Sequence, residues 1–406
     1  IRRRILAVAT PMLIAQLLNL LYNIVDRIYI GKIPGEGTLA LASIGLCFPF
    51  VTLITAFANL FGLGGAPLCA MARGKGNREG AQGIMVNAGF MLLLSGAVLT
   101  VLGIAFHRPL LYLFGASEVT YPYASSYIVI YLIGTLCVML SLGLNPYINC
   151  QGFARTGMLT VALGAAANIV LDPIFIFALH LGVRGAAIAT VLSQFLSAAW
   201  VVKFLTGKKA ELKLDFRGFR PDCQCIQRIT VLGIASFVMS FTDTLVQVAC
   251  NATLRNFGGD LYISVMTVLN SVRQIAQTPV LAIADGASTA ISYNYGAGLY
   301  KRTRDAIRFM TQIAIGYTML VWMLVSLFPA LFIRIFNQDA ELVAAAVPAL
   351  HIYFFGFVMM AFQYAGQSTF RALGRAKYAV FFSLLRKAFI VVPLTLLLPY
   401  CWNLGV

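Results

Sequence analysis

Asp172 closes the run Asn168-Ile-Val-Leu-Asp172 inside an otherwise apolar stretch. A spacing of four places the Asn168 amide and the Asp172 carboxylate on one face of a helix. Two oxygen-bearing groups on one inward face suit a hard cation such as Na+. A carboxyl group taken out of water can alternatively carry a proton. The plainer reading is that Asp172 and Pro173 end the helix at a membrane interface. Asp26 offers a second carboxylate, with Tyr22 and Asn19 one and two turns before it on the same face. An interfacial ion pair with Arg27 is its plainer role. Pro11 precedes them in the same run and is expected to kink the helix, giving it two conformations.

Charges inside apolar spans are costly, so each is a functional candidate by default. The second half carries Asp243, Arg273, Arg386 and Lys387, with Asp285 near a span end. Asp243 suits a transport site or a structural pair with Arg273. Gln363 and Gln367 share one helical face and suit a cavity wall or helix-to-helix hydrogen bonding. The three histidines are scattered near loop ends. No zinc-protease motif, nucleophile elbow or phosphate-binding loop occurs, so neither an enzyme nor an ATP-driven pump is expected. Of the eight cysteines, Cys47, Cys69, Cys137, Cys150 and Cys250 lie in apolar spans. Cys223 and Cys225 lack further ligands nearby, so no structural metal site is expected. Na+ at Asp26, Asn168 and Asp172 is the one metal ion considered.

The elements that must position these groups are membrane helices. The 406 residues are 60% hydrophobic and 11% charged, against roughly 25% charged in soluble domains. That contrast excludes a soluble enzyme, a disordered chain and a disulfide scaffold. Residues 5–25, 80–107, 119–154, 185–202, 309–333, 342–370 and 388–406 contain no Asp, Glu, Lys or Arg, and about 20 apolar residues span a bilayer core. We read eleven spans, at 5–29, 39–66, 82–106, 124–147, 157–179, 185–206, 227–250, 261–285, 306–332, 343–366 and 377–399. The fold class is therefore an all-α polytopic membrane protein.

The net charge of +16 follows the loops. With the N-terminus inside, 21 basic residues fall in loops on that side, Arg371 among them, and six on the other. Basic residues mark cytoplasmic loops, so the N-terminus is set in the cytoplasm and no nucleic-acid partner is expected. The basic segment 207–226 divides an amino-terminal lobe of six spans (1–206) from a carboxyl-terminal lobe of five (227–406). A shift of 222 aligns Gly64 with Gly286, Gly74 with Gly296, Gly76 with Gly298, Gly134 with Gly356 and Gly152 with Gly374. Composition alone predicts about 0.7 such pairs in that stretch. The halves thus form a parallel repeat of a kind found in secondary transporters. Leu404-Gly405-Val406 echoes Leu181-Gly182-Val183, so a twelfth helix, missing from this chain, is expected beyond Val406.

These features together resemble the multidrug and toxic compound extrusion (MATE) family, and within it the MepA-like bacterial branch. The resemblance runs along the whole chain. It is carried by Ala72-Arg73-Gly74-Lys75-Gly76-Asn77, Tyr293-Asn294-Tyr295-Gly296-Ala297, Asn168 to Pro173, Gly182 to Thr190 and Gln367 to Lys377. It implies two pseudo-symmetric six-helix lobes around a cavity that opens alternately to each side. It also implies that Asp26, Tyr22, Asn145, Asn168, Asp172 and Thr190 form an amino-lobe cation or proton site, with Pro11 as a bending hinge. Asp243 matches an acidic position of another branch. With Arg273, Gln363, Gln367 and Arg386 it is a candidate for the substrate cavity or a second coupling site. Ala235, Ala287-Ser288, Asp285 and Arg273 depart from the family pattern. The implied activity is antiport of amphipathic, often cationic drugs against H+ or Na+, without a prosthetic cofactor. The expected setting is a monomer in the lipid bilayer of a bacterial plasma or inner membrane. A flippase for lipid-linked saccharides is the alternative, with the basic residues Arg273, Arg386 and Lys387 in its favour. A channel or a receptor is a further class, against which the repeat and its single acids argue.

Overall fold

A computed structural model describes the backbone of residues 2–33, 37–336 and 340–395. Side chains are described there except at 2, 4, 38, 42, 387–388 and most of 240–264. Among the described residues there is no strand. A bilayer offers no water to satisfy backbone N–H and C=O groups, and helices satisfy their own.

The helices run α1 (Arg2–Gly31), α2 (Gly37–Gly74), α3 (Arg78–Leu113), α4 (Tyr121–Ile133), α5 (Thr135–Cys150), α6 (Ala154–Pro173) and α7 (Gly182–Thr206). They continue as α8 (Cys223–Gly296), α9 (Tyr300–Leu327), α10 (Pro329–Arg334), α11 (Ala340–Phe354), α12 (Met359–Ala372) and α13 (Ala376–Leu384). Two π-helical segments, Ile174–Ala178 and Leu385–Val391, extend α6 and α13. Among the described residues, seven stretches of 20 to 36 residues are long and apolar enough to cross a membrane. Two helix pairs bent at a short break, α4 with α5 at 56° and α11 with α12 at 49°, are long and apolar enough only when taken together.

α8 runs without a break through 251–260, where two separate spans were expected. It is nevertheless not straight. Thr242 Oγ1 lies 3.5 Å from Ser383 Oγ, and Ser292 Oγ donates to the Ala372 carbonyl at 2.9 Å. A straight helix would separate Thr242 from Ser292 by roughly 75 Å, yet Ala372 and Ser383 can be at most about 40 Å apart along the chain. α8 is therefore sharply bent between Thr242 and Ser292.

Contacts divide the chain into two compact units. One comprises Ile14–Gly233 with Gly296–Gly298, and the other Ile1–Leu13, Ile234–Tyr295 and Leu299–Val406. The division cuts α1 two residues after the buried Pro11. Before it, Ile5 is buried with Ala284 and Ile291, and Ala9 packs on Gly286. After it, Tyr29 meets Phe177 edge-on with ring centroids 6.3 Å apart.

The repeat has a conformational basis. Gly76 and Gly298 have φ of 76° and 72°, and Gly152 and Gly374 have 91° and 71°. L-residues with a Cβ are strained there, so equivalent turns keep glycine in both halves. The 207–226 segment is not a loose tether. Its Glu211 takes Arg73 in an ion pair and accepts from Arg78 Nη2 at 2.5 Å through its carbonyl. Leu212 N donates to Gln151 Oε1 at 2.9 Å, and Asp222 N to Asn87 Oδ1 at 3.0 Å.

Candidate functional site

Asp172 is fully buried at the end of α6, and Asn168 is 2% exposed one turn earlier. Asn168 Nδ2 donates to Asp172 Oδ1 at 3.2 Å, as the four-residue spacing requires. Pro173 has no N–H to continue the α-helical ladder, and the chain widens into the π-helical segment directly after it. Such π turns often mark functional positions.

Asp26, late in α1, brings its carboxyl within hydrogen-bonding reach of Asp172. Arg27 points to the exterior, and among the described residues Asp26 forms no ion pair with it. Arg27 is still within electrostatic reach of Asp26. The Tyr22 phenol stands within electrostatic reach of both carboxyls. Three buried oxygens here lack a hydrogen-bond partner among the described residues: Asp26 Oδ1, Asp172 Oδ2 and Asn168 Oδ1.

Thr190 approaches from α7. Close packing of Gly164 on Ser197 and of Gly185 on Phe175 fixes the antiparallel register of α6 and α7. That register sets Thr190 level with 167–171. Its hydroxyl donates to the Ala186 carbonyl at 2.9 Å, leaving its oxygen able to accept or coordinate. Asn145 lies elsewhere. Its Oδ1, with that of Asn149, faces Gly157 of α6, eleven residues and roughly 16 Å along the helix from Asn168. Both oxygens are unpartnered there among the described residues. The structure therefore brings together Asp26, Tyr22, Asn168 and Asp172, sets Thr190 at their level, and leaves Asn145 about three turns away.

Three residues at this level escaped the sequence reading. Tyr127 and Tyr131 stack in α4 with centroids 6.2 Å apart. Tyr127 is within electrostatic reach of Asp26 and Tyr22. Their i, i+4 spacing in an apolar span was the available signal. Thr135 is fully buried with Oγ1 unpartnered among the described residues. Gly134 packed on Val191, and Ser141 Oγ donating to Gln194 Oε1 at 2.8 Å, set Thr135 level with Thr190.

A buried carboxyl and a partly buried one so close together cannot both stay charged without compensation, because desolvation and mutual repulsion both oppose it. A shared proton or a cation between them removes the repulsion. Carboxylate, amide and hydroxyl oxygens are the ligands hard cations take. Among the described residues no three His, Cys, Asp or Glu converge as a metal cluster.

The second unit is arranged differently. Arg371, expected in a loop, lies within α12 and pairs with Asp285 of α8 at 3.4 Å. Its Nη1 also donates to Ser236 Oγ at 3.3 Å. Gln363 and Gln367 precede it on the same face, each with an unpartnered buried Oε1 among the described residues. Arg273 donates to Asn270 Oδ1 at 3.4 Å and stands 5.9 Å from the Tyr353 ring centroid. Tyr353 donates to the same Asn270 oxygen at 2.8 Å. Arg386 falls in the π-helical segment after α13. The side chains of Asp243 and Lys387 lie outside the described residues, and so does any pairing of Asp243 with Arg273.

A duplicated, all-helical polytopic fold with buried acids in its helices defines a class of integral membrane proteins built on the secondary-transporter plan. The MatE family model matches residues 11–174 and again 235–397, an offset close to the internal repeat, and the chain belongs to the MatE family. It is 24% identical to the multidrug export protein MepA of Staphylococcus haemolyticus, over 97% of this chain and 86% of that one. Crystal structures of MATE in the straight and the bent conformation both match its fold with TM-scores of 0.93 at 24% identity. The straight form covers 100% of this chain and 90% of its own, and the bent form 99% and 89%.

Proposed function

We propose that this protein exports amphipathic, often cationic compounds across a bacterial plasma or inner membrane in exchange for H+ or Na+. The observation that carries this is the contact between Asp26 and Asp172, with three unpartnered buried oxygens around them. Membership of the MatE family and the printed function of the MepA relative support the efflux part. The lobes are 1–206 and 227–406, joined by 207–226, with a cytoplasmic N-terminus and a monomeric functional unit.

Cation loading at Asp26 and Asp172 favours one conformer, and drug loading favours the other. A ligand shifts such an equilibrium only by its differential affinity. An inward cation contributes about 2.3 kcal/mol per charge per 100 mV. Pro11, where α1 passes between the two units, serves as the hinge. The solved relatives described as straight and bent support two accessible conformations.

Reconstitution in proteoliposomes tests the proposal. Wild-type protein is expected to couple dye efflux to an imposed pH or Na+ gradient, and Asp172→Asn to lose that coupling while inserting normally. Normal coupled efflux by the variant overturns the site. Gradient-independent movement of a lipid-linked sugar, without dye transport, overturns the activity.

A further inference from the structure

We propose that the α6–α7 seam binds one anionic glycerophospholipid, its acyl chain along the seam and its headgroup at the Lys203 end. The seam holds a groove of about 600 Å³ lined by Leu163, Ala166, Val170, Leu196, Ala199 and Trp200 among others. Alanines on both helices hollow it, while the outward rims at Leu163, Val170 and Leu196 are exposed. From Leu163 to Leu171 it runs roughly 12 Å, close to the ~15 Å depth of one leaflet's hydrocarbon.

One end is different. Lys203 lines the groove there and is exposed. The register set by Gly164 on Ser197 puts exposed Arg155 of α6 within about one turn of Lys203, towards the same end, on the Ala166 side of the helix. Lys208 and Lys209 follow just beyond α7. One turn in from Lys203, the Trp200 indole N–H is buried without a hydrogen-bond partner among the described residues. A donor left unsatisfied in hydrocarbon is costly. A phosphate or glycerol-ester oxygen at that depth would satisfy it. Basic pockets between membrane helices are a known mode of lipid headgroup recognition. Two cationic side chains at one end disfavour the cationic compounds of the proposed transport cycle, so this groove does not serve as their path.

The test is lipid retention by the purified full chain, read by native mass spectrometry. The protein is exchanged into an equimolar mixture of phosphatidylglycerol and phosphatidylcholine with identical acyl chains. Phosphatidylglycerol should be retained at least several-fold over phosphatidylcholine. The double variant Arg155→Ala/Lys203→Ala should bring the ratio close to one, and Lys203→Arg should keep it. Trp200→Phe should speed phosphatidylglycerol loss without raising phosphatidylcholine. Ala167→Leu/Ala199→Leu, which fills the groove, should lower retention of both. Arg155 and Lys203 are exposed, so their removal should leave the melting temperature in lipid-free detergent unchanged. Equal retention of the two lipids by wild type, or an unchanged ratio in the double variant, overturns the proposal. So does displacement of bound phosphatidylglycerol by an equimolar cationic dye.

Discussion

Asp172 and Asp285 are both carboxyls set in membrane helices, and the molecule treats them differently. Asp172 meets a second acid and an amide, and among the described residues it forms no ion pair. Asp285 meets Arg371, and that guanidinium also holds Ser236. Under the 222-residue repeat, Asp172, Asn168 and Asp26 fall opposite Leu394, Ile390 and Val248, while Asp285 and Arg371 fall opposite Leu63 and Asn149. Each half has thus kept an acid the other lacks. Two acids together form a site that is complete only when a cation or proton arrives. An acid with its own guanidinium is complete without one. The first arrangement suits transport and the second suits a fixed contact between α8 and α12.

Exchanging an acid for its amide should break this comparison most visibly. Asp172→Asn should bring drug-coupled H+ or Na+ flux down to the level of empty liposomes. Its melting temperature in detergent should stay level or rise, because one of two repelling acids, the fully buried one, is gone. Asp285→Asn should do the reverse. It leaves Arg371, 12% exposed, without its anion. The cost of breaking a fully buried pair is 3–5 kcal/mol, so about 1–3 kcal/mol is expected for this partly exposed one. Flux per folded molecule should persist. Adding Arg371→Gln to Asp285→Asn should recover part of the lost stability, since a double-mutant cycle isolates the pair. A flux loss in Asp285→Asn without loss of stability would remove the distinction between the halves.

The hinge gives the next effect. Pro11→Ala restores an N–H that can donate to the Ala7 carbonyl and straightens the helix ladder. Transport turnover should fall several-fold, while equilibrium cation binding, read by Na+- or pH-dependent tryptophan fluorescence, should be unchanged. Weakened cation binding would place Pro11 in the site and not between the units.

How much of this was legible in the sequence depended on the distance over which each feature is decided. Asn168 and Asp172 were legible because one helical turn fixes their relation. The repeat was legible because Gly76, Gly152, Gly298 and Gly374 occupy backbone states that favour glycine. The Asp285–Arg371 pair was not, since it depends on how far α12 extends, and span edges in sequence are loose by a few residues. Thr135 and Tyr127 were hidden because their relation to Asp172 is set by the packing of α4, α5 and α7. Periodicity within one helix carries no information about that. Asn145 failed in the opposite sense. A motif match placed it with the pair, but the turn at Gly152 pairs it with the start of α6.

That register makes the finest test of the comparison, since it separates residues of one type by position alone. Asn168→Ala removes the amide that touches Asp172, and coupling-ion affinity should fall by about tenfold, the loss of roughly one charge-assisted hydrogen bond. Thr135→Val and Thr190→Val remove neutral hydroxyls at the same level and should each weaken the ion two- to threefold. Asn145→Ala lies roughly 16 Å along α6 from Asn168, beyond direct contact, and should leave ion affinity unchanged. Its effect should instead be a small loss of stability where α5 meets Gly157. Measured by ion-dependent fluorescence on folded protein, the series should rank Asn168 above the two threonines and the threonines above Asn145. An Asn145→Ala loss equal to that of Asn168→Ala would mean that the α5–α6 register shifts during transport, carrying Asn145 to the acids in the other conformer.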